Sequence, residues 1–90
     1  MSEILKKLGE VLEDRKTKAS SESYVSSLYD KGIGEICDKV DEESKELINA
    51  LKTESNDRIV SEAADLWFHS LIALSMKNLS SRRYCSRAKF

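Results

Sequence analysis

The apolar residues of this chain recur three or four positions apart in four successive segments, which is the spacing of one face of an α-helix. The predicted helices cover residues 3–16, 23–32, about 35–52 and about 57–76. The stretches between them are polar and rich in Ser, Thr and Asn, as loops are. The pattern therefore predicts an all-α fold, a helical bundle without strands.

Specific residues mark the joints between these helices. Gly32 is placed to end the second helix in a left-handed conformation, and Gly32 and Gly34 together predict a sharp joint before the third. Ser55 and Asn56 are candidate caps for the fourth helix. The third and fourth helices should thus turn back on one another.

The fourth helix is apolar around more than half of its circumference, so it must be covered on more than one side. A chain of 90 residues can hardly provide that cover alone. We therefore expect a homodimer, or a larger assembly, to complete the bundle. Residues 1–79 form one predicted domain, and residues 80–90 form a basic C-terminal tail that reads as a solvated end.

Composition narrows the classes of function. The chain has 15 basic and 16 acidic residues, so its net charge of −1 creates no general attraction for nucleic acid or anionic membrane. No segment approaches 18 consecutive apolar residues, which predicts a soluble, cytoplasmic protein. Cys37 and Cys85 lack the spacing of a metal site. Cys37 falls on the apolar stripe of the third helix and is predicted to be a reduced core thiol.

Two pairs of carboxylates carry the candidate chemistry. Glu43 and Glu46 lie three residues apart on the third helix, with Glu42 beside them, and Glu62 and Asp65 have the same spacing on the fourth. If the helices pack antiparallel, the two pairs can face one another. Carboxylates that share a half-buried groove repel unless a cation lies between them, and hard oxygen ligands select Mg²⁺ or Mn²⁺. We interpret them as a Mg²⁺ site for phosphate chemistry.

A solvated acidic face is the alternative interpretation of the same spacing, which recurs elsewhere in this Glu-rich chain. Glu43 and Glu62 each have a basic residue four positions earlier, Lys39 and Arg58, and could form surface ion pairs. Within the two pairs, the residues with no Lys or Arg three or four positions away are Glu46 and Asp65. Spacing leaves both interpretations open.

Three further polar residues have two interpretations each. His69, the one histidine, is either a hydrogen-bonded packing residue or a group that orients Asp65 or meets a phosphate oxygen. Arg15 and Lys16 close the first helix, where a favourable interaction with the helix dipole explains them without a ligand.

Several stretches together resemble the phosphoribosyl-ATP pyrophosphohydrolase family, within the MazG-like all-α nucleotide pyrophosphohydrolases. These are EDRK at residues 13–16, SYVSSLYDKG at 23–32, KVDEESKE at 39–46 and EAADLWFH at 62–69. The resemblance covers about residues 3–79. It implies a homodimer that uses Mg²⁺ to hydrolyse the α,β-phosphoanhydride of phosphoribosyl-ATP, which yields phosphoribosyl-AMP and pyrophosphate.

The resemblance also assigns roles. The implied metal ligands are Glu43, Glu46, Glu62 and Asp65. Glu42 becomes a further acidic group that orients water or a second ion, so the implied catalytic carboxylates are Glu42, Glu43 and Glu46. The implied substrate contacts are Lys31, Lys39, Arg15, Lys16, Tyr24 and His69. The chain departs from the family pattern at Asp41, where Gly is common, at Trp67, where an aliphatic residue is usual, and in its basic tail.

Two rival functions remain at this stage. A MazG-like hydrolase of free (d)NTPs would use the same metal chemistry with a different pocket for base and sugar. A non-enzymatic helical interaction module would carry the same carboxylates as solvated faces.

Overall fold

A computed structural model of the chain describes residues 2–79 and 86–87. The described part contains four α-helices and no strand, which confirms the all-α prediction. The helices are α1 (Ser2–Arg15), α2 (Tyr24–Lys31), α3 (Ile33–Thr53) and α4 (Asn56–Met76), with one 3₁₀ turn at Ser20–Glu22. Most of the predicted basic tail, including Cys85, lies outside the described residues.

The hairpin of α3 and α4 is the longest packed unit, and each of its helices has 21 residues. Only Glu54 and Ser55 connect them, so the chain reverses direction and the helices run antiparallel. The Ser55 hydroxyl accepts a hydrogen bond from the backbone N–H of Arg58 at 3.3 Å, which confirms Ser55 as the cap of α4. This short connection fixes which residues of α3 and α4 face one another.

Gly32 forms the joint between α2 and α3. Its N–H donates to the carbonyl of Leu28 at 3.0 Å and ends α2. Its backbone has φ 94° and ψ −179°, so φ is positive as predicted, but ψ is extended rather than left-handed helical. That combination is open almost exclusively to glycine. Gly34 is not part of the joint, because α3 already begins at Ile33.

The apolar core lies between α1, α2, the start of α3 and the second half of α4. Its buried residues are Leu5, Leu12, Val25, Leu28, Ile36, Leu71 and Ile72. The prediction that Cys37 is a core thiol is wrong, since the side chain is exposed. Ile36 takes the core position, and the next residue is rotated by about 100° away from it.

Hydrogen bonds tie the far ends of α1, α2 and α4 together. The Tyr29 hydroxyl lies 3.1 Å from the carbonyl oxygen of Leu12, to which it donates, and 2.9 Å from the Ser75 hydroxyl.

At the end of α4 the N–H of Leu79 donates to the carbonyl of Leu74, and Asn78 has φ 61°. These features are a Schellman motif that satisfies the last carbonyls of α4.

One side of α4 remains open in the single chain. Val60 is 68% exposed on α4, and Leu51 is 60% exposed on α3 across the hairpin. The apolar surface on which the homodimer prediction rests is therefore present, although the structure holds one chain. Within residues 2–79 and 86–87, no helix has the length and apolar character needed to cross a membrane.

Replacing Gly32 with Ala should lower the free energy of unfolding by about 1 to 3 kcal/mol, because Ala is strained at this backbone conformation. Apart from its chain neighbours and, for Gly34, the backbone of its own helix, no heavy atom lies within 4 Å of the Cβ position at either Gly32 or Gly34, so crowding does not enter. Urea unfolding of both Ala variants measures the effect. Gly34→Ala is the matched control and should be neutral or up to about 1 kcal/mol more stable, since Gly weakens helices. Equal destabilisation of both variants would contradict the strain at Gly32.

Candidate functional site

The structure brings the carboxylates of α3 and α4 together. One carboxylate oxygen each from Glu42, Glu43 and Glu46 lie within 4.8 Å of one another, and the same holds for Glu43, Glu62 and Asp65. Glu43 belongs to both groups. We call these five residues the carboxylate cluster.

The hairpin geometry explains this convergence. Glu46 lies eight residues before Glu54, and Glu62 lies seven residues after Ser55, so both are about two helical turns from the connection. The i, i+3 spacing on each helix keeps the other carboxylates on the same faces. The prediction that the two acidic pairs face one another across antiparallel helices is thereby confirmed as geometry.

Two members of the carboxylate cluster are buried. Glu43 is 7% exposed and Glu62 is 3% exposed, and the Oε2 atom of each has no hydrogen-bond partner among the described residues. A buried carboxylate oxygen without a donor is costly. A solvated acidic face accounts for the exposed Glu42, Glu46 and Asp65, but it does not account for this buried pair.

The surroundings of Glu62 disfavour its ionised form. Its pKa is raised above the ordinary value, chiefly because a protonated Glu62 carboxyl can hydrogen-bond to that of Glu46, then by burial and by the charge of Glu46. Arg58 opposes the rise through an ion pair of 2.6 Å from Nη2 to Oε1 of Glu62. The predicted Arg58–Glu62 pair is thus confirmed, yet it leaves Oε2 of Glu62 without a donor.

Lys39 is the predicted phosphate contact that the structure places beside the cluster. Its Nζ atom lies 3.6 Å from Oε2 of Glu42, so the ion pair formed is with Glu42 rather than with Glu43. Lys31 is exposed at the last position of α2 and forms no ion pair with a described residue. Only Lys39 of these two has a defined relation to the carboxylates.

Arg15 and Lys16, at the end of α1, are both bonded to residues outside the carboxylate cluster. Arg15 pairs with Asp14 at 2.6 Å, and Lys16 donates to the Asn78 side chain at 2.9 Å. Asn78 follows Asp65 by 13 residues, a separation of about 20 Å along the helix axis. The single chain therefore does not bring the Lys16 ammonium to the carboxylate cluster, and Arg15 is ion-paired with Asp14 instead of with a member of the cluster.

His69 is buried and lies 2.8 Å from two partners. Its Nδ1 contacts the backbone carbonyl oxygen of Asp65, and its Nε2 contacts the hydroxyl of Tyr24. The packing interpretation of His69 is therefore confirmed, and its role in orienting the Asp65 carboxylate or meeting a phosphate oxygen stays a prediction. Sequence reasoning missed the contact with Tyr24, because 45 residues separate the two and no local spacing signals it.

The carboxylates of two long antiparallel helices form a half-buried cluster within an all-α chain. This arrangement is the one found in MazG-like nucleotide pyrophosphohydrolases. The chain belongs to the phosphoribosyl-ATP pyrophosphohydrolase family, whose model matches residues 5–89. This confirms the resemblance that the sequence motifs indicated.

Three curated relatives are about 50% identical to this chain over the aligned residues, and each is named phosphoribosyl-ATP pyrophosphatase. The relative from Vesicomyosocius okutanii is 54% identical over 79 residues, and that from Ruthia magnifica is 53% identical over 79. Both alignments cover 88% of this chain and 75% of the relative. The relative from Hydrogenovibrio crunogenus is 49% identical over 84 residues, covering 89% of this chain and 74% of its own.

Glu62→Gln should change how stability depends on pH in metal-free buffer. A carboxyl whose pKa is raised on folding costs stability once it ionises, so the parent should lose unfolding free energy as pH rises above the ordinary Glu value of 4.5. The Gln variant should lack this loss and match or exceed the parent's melting temperature at about pH 7. Thermal unfolding across that range measures it.

Glu10→Gln, an exposed change on α1, controls for the loss of one negative charge. A Glu62→Gln variant that melts well below the parent at neutral pH, but not in acid, would mean that the Arg58 ion pair outweighs the repulsion.

Proposed function

We propose that this chain hydrolyses the α,β-phosphoanhydride of phosphoribosyl-ATP to phosphoribosyl-AMP and pyrophosphate, the second step of histidine biosynthesis. Family membership supports the substrate. The observation in the structure that carries the proposal is the buried pair Glu43 and Glu62, each with a carboxylate oxygen that lacks a donor within the described chain. A biosynthetic enzyme of this kind would work in the cytoplasm.

The carboxylate cluster fits a divalent cation. Its donors are all hard oxygens, and the two orphaned Oε2 atoms are acceptors whose burial a cation would compensate. We propose Glu43, Glu46, Glu62 and Asp65 as the ligands, with Mg²⁺ as the ion and Mn²⁺ as a possible substitute. When bound, the ion supplies charge to offset the triphosphate and lowers the pKa of a coordinated water.

Other residues of the chain would bind the phosphates and orient the attacking water. Lys39 would meet a phosphate oxygen, a role supported by its ion pair with Glu42 at the edge of the cluster. Glu42 and Glu46 are exposed carboxylates next to the buried pair and would orient the attacking water or accept its proton. Lys31 would add a second positive charge for the triphosphate. No nucleophilic side chain is needed for this reaction.

A second copy of the chain would complete the bundle. The exposed apolar side chains of α3 and α4, among them Ile48, Leu51 and Val60, would be covered in a homodimer. The Nζ atom of Lys16 is bonded to Asn78, about 20 Å along the helix axis from the cluster of its own chain, so a role for Lys16 in substrate binding would require the cluster of another chain.

Glu46→Gln and Asp65→Asn should each lower the hydrolysis of phosphoribosyl-ATP by roughly 100-fold or more, since ligand loss exceeds the 10- to 100-fold cost of losing an outer-shell partner. Circular dichroism should show unchanged helix content. Mg²⁺ should raise the melting temperature of the parent more than that of either variant. Asp57→Asn, an exposed change on α4, is the matched control and should behave as the parent.

The same assay decides between substrates. Purified protein with Mg²⁺ is offered phosphoribosyl-ATP and a panel of (d)NTPs, and phosphoribosyl-ATP should be the fastest. Faster turnover of any (d)NTP would favour the alternative hydrolase. No turnover of any substrate, with or without Mg²⁺, would favour an interaction module.

Leu51→Glu should shift the assembly towards monomer, because a charge on the exposed apolar surface opposes burial against a second copy. Analytical ultracentrifugation of the parent should show a dimer at micromolar concentration. Lys52→Ala, the exposed neighbour, is the control. A parent that sediments as a monomer would contradict the proposed assembly.

A further inference from the structure

Arg58 bridges a carboxylate of the hairpin connection and a carboxylate of the cluster. Its Nη2 atom donates to Oε1 of Glu62 at 2.6 Å, and its Nε atom donates to Oε1 of Glu54 at 3.2 Å. Glu54 lies in the connection before α4, and Glu62 lies one turn after Arg58 within α4. The guanidinium group therefore ties a buried member of the carboxylate cluster to the connection between the two long helices.

Two anchors fix the direction of this contact. Oε2 of Glu54 accepts a hydrogen bond from Nδ2 of Asn49 at 2.8 Å, so Glu54 is itself held by α3. An ion pair between two exposed side chains contributes little, because ordering both of them costs entropy. Here the side chain of Arg58 is 58% exposed, but that of Glu62 is only 4% exposed. The planar guanidinium, bonded at two of its nitrogens, points one N–H group at one oxygen of a buried carboxylate.

The two oxygens of Glu62 therefore differ in what they can bind. Oε1 already accepts from Arg58, whereas Oε2 is buried and has no donor among the described residues. A second cation at Oε1 would lie close to the guanidinium and would be repelled by it. The oxygen that Glu62 can offer to a metal ion is thus Oε2 alone.

A carboxylate that offers one oxygen suits some metal ions better than others. Ca²⁺ is bound by more oxygens than Mg²⁺, in flexible geometry, and often takes both oxygens of one carboxylate. Mg²⁺ is smaller and requires a nearly octahedral set of ligands. Denying one oxygen of a buried ligand consequently costs more for Ca²⁺ than for Mg²⁺.

We propose that Arg58, anchored by Glu54, is a positioning residue that restricts Glu62 to one metal-facing oxygen and so makes the carboxylate cluster prefer Mg²⁺ to Ca²⁺. This inference rests on the proposed function, in which Glu62 is a metal ligand. Arg58 itself touches neither the metal nor the substrate. Its effect lies in which ion the cluster selects.

The test measures metal binding to the substrate-free chain. Mn²⁺ is the probe, because electron paramagnetic resonance distinguishes free from bound Mn²⁺, and Mg²⁺ and Ca²⁺ are each titrated against it. Arg58→Met removes the guanidinium and keeps a long side chain. Loss of the positive charge acts on both ions, so it largely cancels in the ratio of their dissociation constants. We expect the preference for Mg²⁺ over Ca²⁺ to fall by roughly three- to tenfold, about the value of one charge-assisted contact.

Three further variants test the anchoring. Glu54→Ala should lower the preference for Mg²⁺ by less than Arg58→Met does, because Arg58 keeps its bond to Glu62 but loses its second anchor. The double variant Arg58→Met, Glu54→Ala should have the ratio of Arg58→Met alone, since Glu54 acts only through Arg58. Lys45→Gln removes an exposed positive charge that pairs with Asp41 on α3. As the matched control it should leave the ratio within about twofold of the parent.

A purely structural role for Arg58 would lower the melting temperature of Arg58→Met and leave the ratio unchanged, and that result would overturn the proposal. If Arg58→Met does not fold, Arg58→Lys takes its place, because Lys keeps the charge but lacks the planar fork. An unchanged ratio in both Arg58→Lys and Glu54→Ala would then reject the role of Arg58.

The same titrations separate this inference from the proposed function. Glu62→Gln should weaken the binding of Mn²⁺ to the parent site. If the parent binds no Mn²⁺, or if Glu62→Gln binds it equally well, the proposed metal site is wrong and both proposals fail. If Mn²⁺ binding depends on Glu62 but the ratio does not depend on Arg58, only the inference about Arg58 fails.

Discussion

Burial of Glu43 against Glu62 is the constraint around which the α3–α4 hairpin is arranged. Two carboxylates at close range cannot both ionise freely, and each keeps one oxygen without a donor in the described chain. Packing that favoured stability alone would place apolar side chains at such positions. The hairpin therefore holds an arrangement that is unfavourable by itself and becomes favourable when positive charge is added. This is the condition expected of a binding site for a cation.

The rest of the chain compensates for this cost away from the site. The apolar core draws on the second half of α4, through Leu71 and Ile72, and on Ile36 at the start of α3. The carboxylate cluster lies on the first half of α4 and the middle of α3, nearer the connection. Core and cluster thus share the same two helices but occupy different turns. Repulsion within the cluster can be tolerated because the packing that fixes the helices lies elsewhere.

The sequence was sufficient for those features that depend on local spacing. The helices, a cap of α4 at Ser55 or Asn56 and the facing acidic pairs follow from residues three or four apart and from a short connection, and the structure decides for Ser55. Features that depend on distant residues were not predictable: the Tyr24–His69 contact joins α2 to α4 across 45 residues. Cys37 was misplaced because an apolar stripe gives the direction of a helix face only to within about one residue.

The spacing of residues along the sequence also could not predict which carboxylates are buried. Glu43 and Glu46 are equivalent members of one motif, yet the structure buries Glu43 and leaves Glu46 exposed. A carboxylate at the flank of a helix is buried only if a neighbouring helix packs over it. The sequence does not show on which side of the flank that helix lies. The same limit applies to Lys39, which has Glu42 and Glu43 at helical spacing and pairs with Glu42.

Two basic side chains, Arg58 and Lys39, form ion pairs with some oxygens of the carboxylate cluster and leave others without a partner. Arg58 reaches Oε1 of Glu62 from the side of Glu54, and Lys39 reaches Oε2 of Glu42. Neither contacts the orphaned Oε2 atoms of Glu43 and Glu62. A divalent ion could therefore bind those oxygens without breaking either ion pair. Because the flanking cations would remain in place, the bound ion would reduce the net negative charge that faces an incoming triphosphate by its full charge, and a polyanionic substrate could approach carboxylates that would otherwise repel it.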